Sequence, residues 1–256
     1  MDVSRNEVVA IAIEAGREIL RIYRSGRLDT AKKSDGSFIT RADRAADQII
    51  REALSARWPH PILSEETAQA PWEERESWRR LFVVDPLDGT RDFVRRTGDF
   101  TVNIALVEDG RPILGVIAAP YVGITWSAAK GDGAFRMIGA HEKRIENTRG
   151  GDQPFAALLS RFHTSDRIYQ YLEGRGIQRI LRAGSAIKFG RLAEGTGDLY
   201  PRYGRTMEWD TAAGDCIATE AGCTVVHAED RVPLKYNKPD LANPPFMVES
   251  PRMPAP

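Results

Sequence analysis

The chain has 256 residues, 36 basic against 36 acidic, so it carries no overall field that would draw it to nucleic acid or another large polyanion. Hydrophobic residues make up 42% and charged residues 28%, which excludes a disordered chain and fits one large domain or two modest ones sharing a core. No apolar run reaches the ~20 residues that span a bilayer, the N-terminus lacks the apolar core of a signal peptide, and two cysteines, Cys216 and Cys223, are too few for a disulfide framework.

The first predicted element is an amphipathic helix. Val8, Ile11, Ala12, Ala15, Ile19, Ile22 and Tyr23 recur at helical steps, and Gly26 ends the segment. Ala42, Ala45, Ala46, Ile49, Ala53 and Leu54 repeat the pattern in a second helix, closed by Pro59 and Pro61. Thr40 stands where its N-cap belongs. From Leu81 the pattern changes: Leu81-Phe82-Val83-Val84 reads as a buried strand. Thr101–Val107 and Ile113–Ala119 form a hairpin around Glu108-Asp109-Gly110, and Ile124–Ala129 and Ala134–Ile138 continue the meander around Gly131-Asp132-Gly133. The polar stretch Glu142–Gln153 predicts a boundary between sub-domains 1–145 and 146–256. Beyond it the chain alternates: strand Phe155–Leu159, helix Arg167–Gly174, strand Ile177–Leu181, helix Ser185–Glu194, helix Trp209–Ala221, strand Cys223–Val226. The expected class is α+β or layered α/β, with helices against a second sheet.

The chemistry concentrates in Val84-Asp85-Pro86-Leu87-Asp88-Gly89-Thr90. An apolar strand runs into two aspartates on a turn that Pro86 restricts and Gly89 relaxes, so both carboxylates can converge. Hard divalent cations need oxygen ligands at that density. Thr90-Arg91-Asp92-Phe93 reads as the start of a helical turn. An Asp-Gly turn with surface charges is the plain alternative, but Asp85 follows four apolar residues, where an unpaired carboxylate is costly. A haloacid-dehalogenase arrangement fails, because Pro86 occupies the position of its nucleophilic aspartate. Ser64-Glu65-Glu66 offers two more carboxylates at a strand end, with a solvated loop as the plain alternative. Asp210 opens a helix, where it is either a cap or a member of the cluster. Thr40-x-x-Asp43 has the form of a capping box, and Asp43 could equally orient a hydroxyl. Arg91, Arg95 and Arg96 follow the turn as anion-attracting groups or as a solvated face.

Taken together, Glu65-Glu66, Asp85-Pro86-Leu87-Asp88-Gly89-Thr90 and Trp209-Asp210-Thr211-Ala212-Ala213 resemble the metal-site motifs of the inositol monophosphatase superfamily, in order and over essentially the whole chain. Asp99–Leu106, Ser160-Arg161-x-His163, Gly184-Ser185-x-x-Lys188 and Leu199-Tyr200-Pro201-Arg202 are most similar to its CysQ-type 3'(2'),5'-bisphosphate nucleotidase branch. The resemblance implies a five-layered αβαβα sandwich, two or three Mg²⁺ per site, inhibition by Li⁺, and hydrolysis of adenosine 3',5'-bisphosphate to AMP and phosphate. Glu65, Asp85 and the Leu87 carbonyl would hold one Mg²⁺, and Asp85, Asp88 and Asp210 a second. Thr90 would pass a proton from water to Asp43. Gly89, Thr90, Ser160, His163, Ser185, Lys188, Arg202 and Asp210 would contact the substrate, with Lys188 and Arg202 on its second phosphate. Lys188 as a solvated helix residue and His163 as a surface group are the plain alternatives.

Two departures bear on substrate choice. Phe162 replaces a residue more often small and polar in that branch, and Glu208 precedes the Trp-Asp motif; both are expected near the nucleoside. Inositol monophosphatase, fructose-1,6-bisphosphatase and histidinol-phosphate phosphatase share the metal motifs and remain alternatives, with a non-catalytic nucleotide or metal sensor behind them. The expected partner is a small phosphate monoester, with no nucleic-acid polymer, no required membrane, and a homodimer left open. The expected location is the cytoplasm, with peripheral attachment to the inner membrane also left open.

Overall fold

A computed structural model of the chain describes residues 2–26, 28–32, 38–148, 154–162 and 164–253. The first helix, α1 (Arg5–Ser25), ends at Gly26 in the left-handed conformation, as the sequence predicts. After the small pair β1 (Ala31–Lys32) and β2 (Phe38–Ile39) comes α2 (Arg41–Ser55). This helix stops ahead of Pro59: the amides of Ala56, Arg57 and Trp58 turn back onto the carbonyls of Glu52 and Leu54.

Seven strands follow: β3 (Ile62–Ser64), β4 (Arg80–Asp88), β5 (Thr101–Glu108), β6 (Arg111–Ala119), β7 (Ile124–Ala129), β8 (Gly133–Ile138) and β9 (His141–Ile145). They lie side by side in chain order, β3 parallel to β4 and the rest antiparallel. Two short helices, α3 (Trp72–Arg75) and α4 (Thr90–Val94), sit in the connections. The turn between β5 and β6 places Asp109 at φ 48° and Gly110 at φ 74°, the paired positive values of a type I′ hairpin. The polar stretch from Glu142 begins as β9, whose exposed charged side chains suit an edge strand. Residues 149–153 lie outside the described residues.

The second half contributes β10 (Ala156–Leu159), α5 (Asp166–Gly174), β11 (Arg179–Arg182), α6 (Ile187–Ala193), β12 (Leu199–Arg202), α7 (Glu208–Glu220), β13 (Thr224–His227) and β14 (Phe246–Glu249). Its five strands take the order β11-β10-β12-β14-β13, parallel on the β11 side and antiparallel around β14.

Strand alternation sorts the interior into three cores. Phe82, Val84, Ile104 and Val116 face α1 and α2. Leu81, Val83, Ala105 and Ile117 point the other way, onto α6 and α7, which also receive Leu158, Tyr200, Phe246 and Val248 from the second sheet. Ala157, Leu159, Leu199 and Met247 turn to the far side, where Ile168 and Leu172 of α5 cover them. The layers are therefore helices, sheet, helices, sheet, helix, the αβαβα sandwich that the family resemblance implies. The helix α7 lies so close to β6 that a Cβ at Gly115 would stand 2.4 Å from the Ala213 carbonyl oxygen. Cys216 and Cys223 are buried free thiols, and burial pushes both upward, Cys223 to about 12, which leaves them inert as nucleophiles. Among the described residues no helix is long and apolar enough to cross a membrane.

Candidate active site

The site begins with strand register. Ser64 of β3 lies opposite Val84 of the parallel β4, so both strands deliver their next residue at the same end of the sheet. Those residues are Glu65 and Asp85, and the Glu65 amide donates to the Val84 carbonyl at 3.1 Å. The strand end is tied to α2 by Ser64 Oγ, which donates to buried Asp47 Oδ1 at 2.6 Å. Asp47 escaped the sequence reading; its one signal was a carboxylate on the apolar side of an amphipathic helix.

The predicted turn after Val84 is instead a continuation of β4. Asp85 pairs with Asn103 and Asp88 with Thr101, so β4 holds one residue more than β5 across that interval. This is a β-bulge, and it contains Pro86, whose missing N–H is tolerated where the ladder is interrupted. The chain leaves through Gly89 at φ 89°, where a Cβ would also meet the Asp99 carbonyl oxygen at 2.8 Å. The short helix α4 starts at Thr90 as expected.

Asp85 is buried. Its Oδ1 accepts from the Leu87 amide at 3.1 Å, while Oδ2 is shut from solvent with no hydrogen-bond partner. Asp210 arrives on α7 and accepts from the Met207 amide at 2.8 Å, so it caps its helix. It also meets Glu65 and Asp85: one carboxylate oxygen from each of the three lies within 4.8 Å of the others. Asp88 stands beside this trio. Its Oδ2 accepts from the Ala186 amide at 2.6 Å and from Asn103 Nδ2 at 3.5 Å.

Electrostatics makes the cluster costly by itself. Burial, then the charges of Glu65, Asp88 and Asp210, hold the Asp85 carboxyl well above the usual range. Burial and Asp88 push Asp210 up to about 8. Burial also raises Asp88, against the opposing pull of Lys188 and the Ala186 amide. Crowded carboxylates with a buried, unpartnered oxygen fit a hard divalent cation, which would satisfy Asp85 Oδ2 and remove the repulsion. The trio could hold such an ion.

Behind the cluster, the Thr90 hydroxyl lies 3.2 Å from Asp43 Oδ1 and 3.3 Å from the Leu87 carbonyl oxygen. Asp43 Oδ2 accepts from the Thr40 amide at 2.7 Å and the Thr40 hydroxyl at 2.6 Å. Burial pushes Asp43 up to about 6.

In front of the cluster opens a cleft of about 420 Å³. Glu65, Asp88, Gly89, Thr90, Ser160, Ser185, Lys188, Arg202 and Asp210 line it, whereas Asp43, Asp85 and Leu87 lie behind its wall. His163 falls outside the described residues. Lys188 is buried, not solvated, and burial draws its amine down to about 8, with Asp88 opposing. Its Nζ donates to the Ser185 and Ala183 carbonyls and stands 5.1 Å from the Tyr200 ring centre. Ser185 is not helical: it takes φ 45°, and α6 starts at Ile187. Phe162 packs under the guanidinium groups of Arg95 at 4.6 Å and Arg91 at 5.7 Å, while Arg96 turns away to the Tyr23 ring and carbonyl. Glu208 corrects the sequence reading. It is fully buried and faces away from the cleft, accepting from the amides of Asn237 and Lys238 and from Lys238 Nζ. Phe38 and Thr206 also line the cleft, unforeseen because the segments that bring them there show no periodicity.

A two-sheet sandwich with a carboxylate cluster at the end of β3 and β4 defines a class, and comparison with known proteins gives the same one. The inositol monophosphatase family matches residues 2–253, and the chain belongs to it. Among its relatives, the 3'(2'),5'-bisphosphate nucleotidase CysQ of Salmonella typhimurium is 41% identical over 246 residues, 94% of this chain and 98% of the relative. The Escherichia coli protein of the same name is 39% identical over 247 residues, 95% of this chain and 98% of the relative. The crystal structure of CysQ from Bacteroides thetaiotaomicron superimposes with a TM-score of 0.87 at 38% identity, covering 97% of both chains.

Proposed function

We propose that the chain is a divalent-cation-dependent 3'(2'),5'-bisphosphate nucleotidase, which hydrolyses the 3'-phosphate of adenosine 3',5'-bisphosphate to give AMP and phosphate. The observation that carries the reading is the contact of Thr90 with Asp43 Oδ1, beside the trio of Glu65, Asp85 and Asp210 and facing buried Lys188 across one cleft. A protein that only sensed a nucleotide would have no use for a hydroxyl aimed at a buried carboxylate. The near full-length likeness to curated nucleotidases supports the substrate.

Glu65, Asp85, the Leu87 carbonyl, Asp88 and Asp210 would hold the cations, two or three Mg²⁺ ions that Li⁺ opposes. When bound, such ions polarise the phosphoryl oxygens and make the attacking water more acidic. Thr90 takes a proton from that water as it gives its own to Asp43 Oδ1. The water oxygen forms the new P–O bond, and the bond to the ribose oxygen breaks with its electron pair on that oxygen, which bulk water protonates. Asp43 suits the role of base because burial raises it to about 6, close to neutrality. Lys188 and Arg202 bind the second phosphate, with Ser160 and Ser185 on the nucleoside side. The cleft lies where sub-domain 1–145 meets sub-domain 146–256, so substrate is enclosed between them.

Phosphate release from adenosine 3',5'-bisphosphate, inositol 1-phosphate, fructose 1,6-bisphosphate and histidinol phosphate, each with Mg²⁺, tests the reading. The nucleotide should be turned over with the highest kcat/KM. A higher value for any of the other three would replace the substrate assignment.

A further inference from the structure

Asp99 has no part in the chemistry above, yet it is buried beside the cleft. One of its oxygens, Oδ2, accepts from the Gly184 amide at 2.8 Å and from Arg161 Nε at 2.5 Å. Arg161 follows β10 and Gly184 precedes α6, so a residue just ahead of β5 ties down two separate loops of the other half. The approach at Gly184 excludes any side chain: a Cβ there would stand 2.7 Å from Asp92 Oδ2 and 2.8 Å from Asp99 Cβ. Two residues on, the Ala186 amide is held by Asp88.

Both flanks of Ser185 are therefore docked on carboxylates. Between them Ser185 takes the left-handed φ of 45°, with its Oγ buried and unpartnered. Its Cβ lies 3.2 Å from where a Cβ of Gly89 would be, directly against the bulge. The carbonyls of this same turn, from Ser185 and Ala183, receive Lys188 Nζ. The turn thus braces the amine of Lys188, a residue that lines the cleft, and hydrogen bonds from the Gly184 and Ala186 amides to two carboxylates brace the turn.

We infer that Asp99 is a positioning residue for recognition of the second phosphate: through the Gly184 amide it sets the 183–186 turn, and through that turn the position of Lys188. The inference rests on the assignment of Lys188 to that phosphate. Preset placement of a cation saves the cost of ordering it when the substrate arrives. Its loss should appear in discrimination between two substrates, not in the chemistry common to them.

The test compares kcat/KM for adenosine 3',5'-bisphosphate and for 3'-AMP, which lacks the second phosphate, in the Mg²⁺-loaded enzyme. Asp99→Asn keeps the shape but weakens the acceptor, and the preference for the bisphosphate should fall severalfold, through KM. Asp99→Ala removes the acceptor, and the preference should fall about tenfold or more, with kcat on 3'-AMP retained. Arg161→Gln leaves the bond between Asp99 and Gly184 and should keep the preference. An unchanged preference in Asp99→Asn, or an equal loss on both substrates, overturns the inference, and that variant suffices if Asp99→Ala does not fold. A wild type that releases phosphate from neither nucleotide refutes the functional reading itself; one that treats both alike removes the Lys188 assignment and this inference with it.

Discussion

The two oxygens of Asp43 face different partners: Oδ2 accepts from the Thr40 amide and hydroxyl at the start of α2, and Oδ1 stands 3.2 Å from the Thr90 hydroxyl in the cleft wall. The capping box and the orienting role that the sequence left as alternatives are both occupied, by one carboxylate. Its position is thereby fixed by the helix it caps.

That division of labour separates two variants. In Asp43→Asn the remaining oxygen can still serve the Thr40 amide, so the melting temperature should stay close to wild type while kcat falls by about 10²–10⁴. In Asp43→Ala the cap is lost as well, with a further stability cost of about 1 kcal/mol. Thermal melts and steady-state kinetics on both variants read the two roles apart. Normal turnover in Asp43→Asn would remove it as the base.

The buried carboxyls also set how stability responds to pH. Asp43 is pushed up to about 6 and Asp210 to about 8, both from an ordinary value of 3.8. A raised carboxyl binds more protons in the folded state than in the unfolded one, so its contribution is fully present below about pH 4 and is lost as pH rises through 6 and then 8. In a chelator, the melting temperature should therefore fall from about pH 5 to pH 8.5. Millimolar Mg²⁺ should restore it at the alkaline end, by about 2.7 kcal/mol when the ion is at a hundred times its Kd. Asp85→Asn should abolish that gain, because it removes the carboxylate oxygen that is buried without a hydrogen-bond partner. A melting temperature indifferent to Mg²⁺ in the wild type would argue against the cluster as a cation site.

A third expectation concerns the layer between the sheets. A Cβ at Gly214 of α7 would lie 2.3 Å from the Phe189 ring of α6, so Gly214→Ala forces two packed helices apart. Urea denaturation should show a loss of about 1–3 kcal/mol. Because Asp210 rides on the same helix, turnover should fall as well. A variant as stable as wild type would show that the α6–α7 contact can relax freely.

The helices α1 and α2, the meander from β4 to β8 and the carboxylate motifs were legible in the sequence because each depends on local order: apolar periodicity, turn residues, or acids at a strand end. The local pattern also placed Asp85 and Asp88 together. It could not show that β4 continues through Pro86 as a bulge, since a bulge exists only relative to the partner strand β5. For the same reason β12 and β14, short strands that are buried only once the second sheet is assembled, were invisible.

Glu208 and Asp99 draw the line most clearly. Asp99 opens one family motif and Glu208 stands just ahead of another, and nothing in the chain order shows which of them braces the cleft. Glu208 turns away to satisfy the amides of residues 237 and 238, while Asp99 reaches across to Gly184 and Arg161. The sequence by itself placed α1, α2, the meander and the acidic motifs that carry the family resemblance. Only the tertiary structure decided which acids face the cleft and which brace it. That choice depends on which distant backbone amides a buried carboxylate finds within hydrogen-bond reach, and packing alone sets those distances.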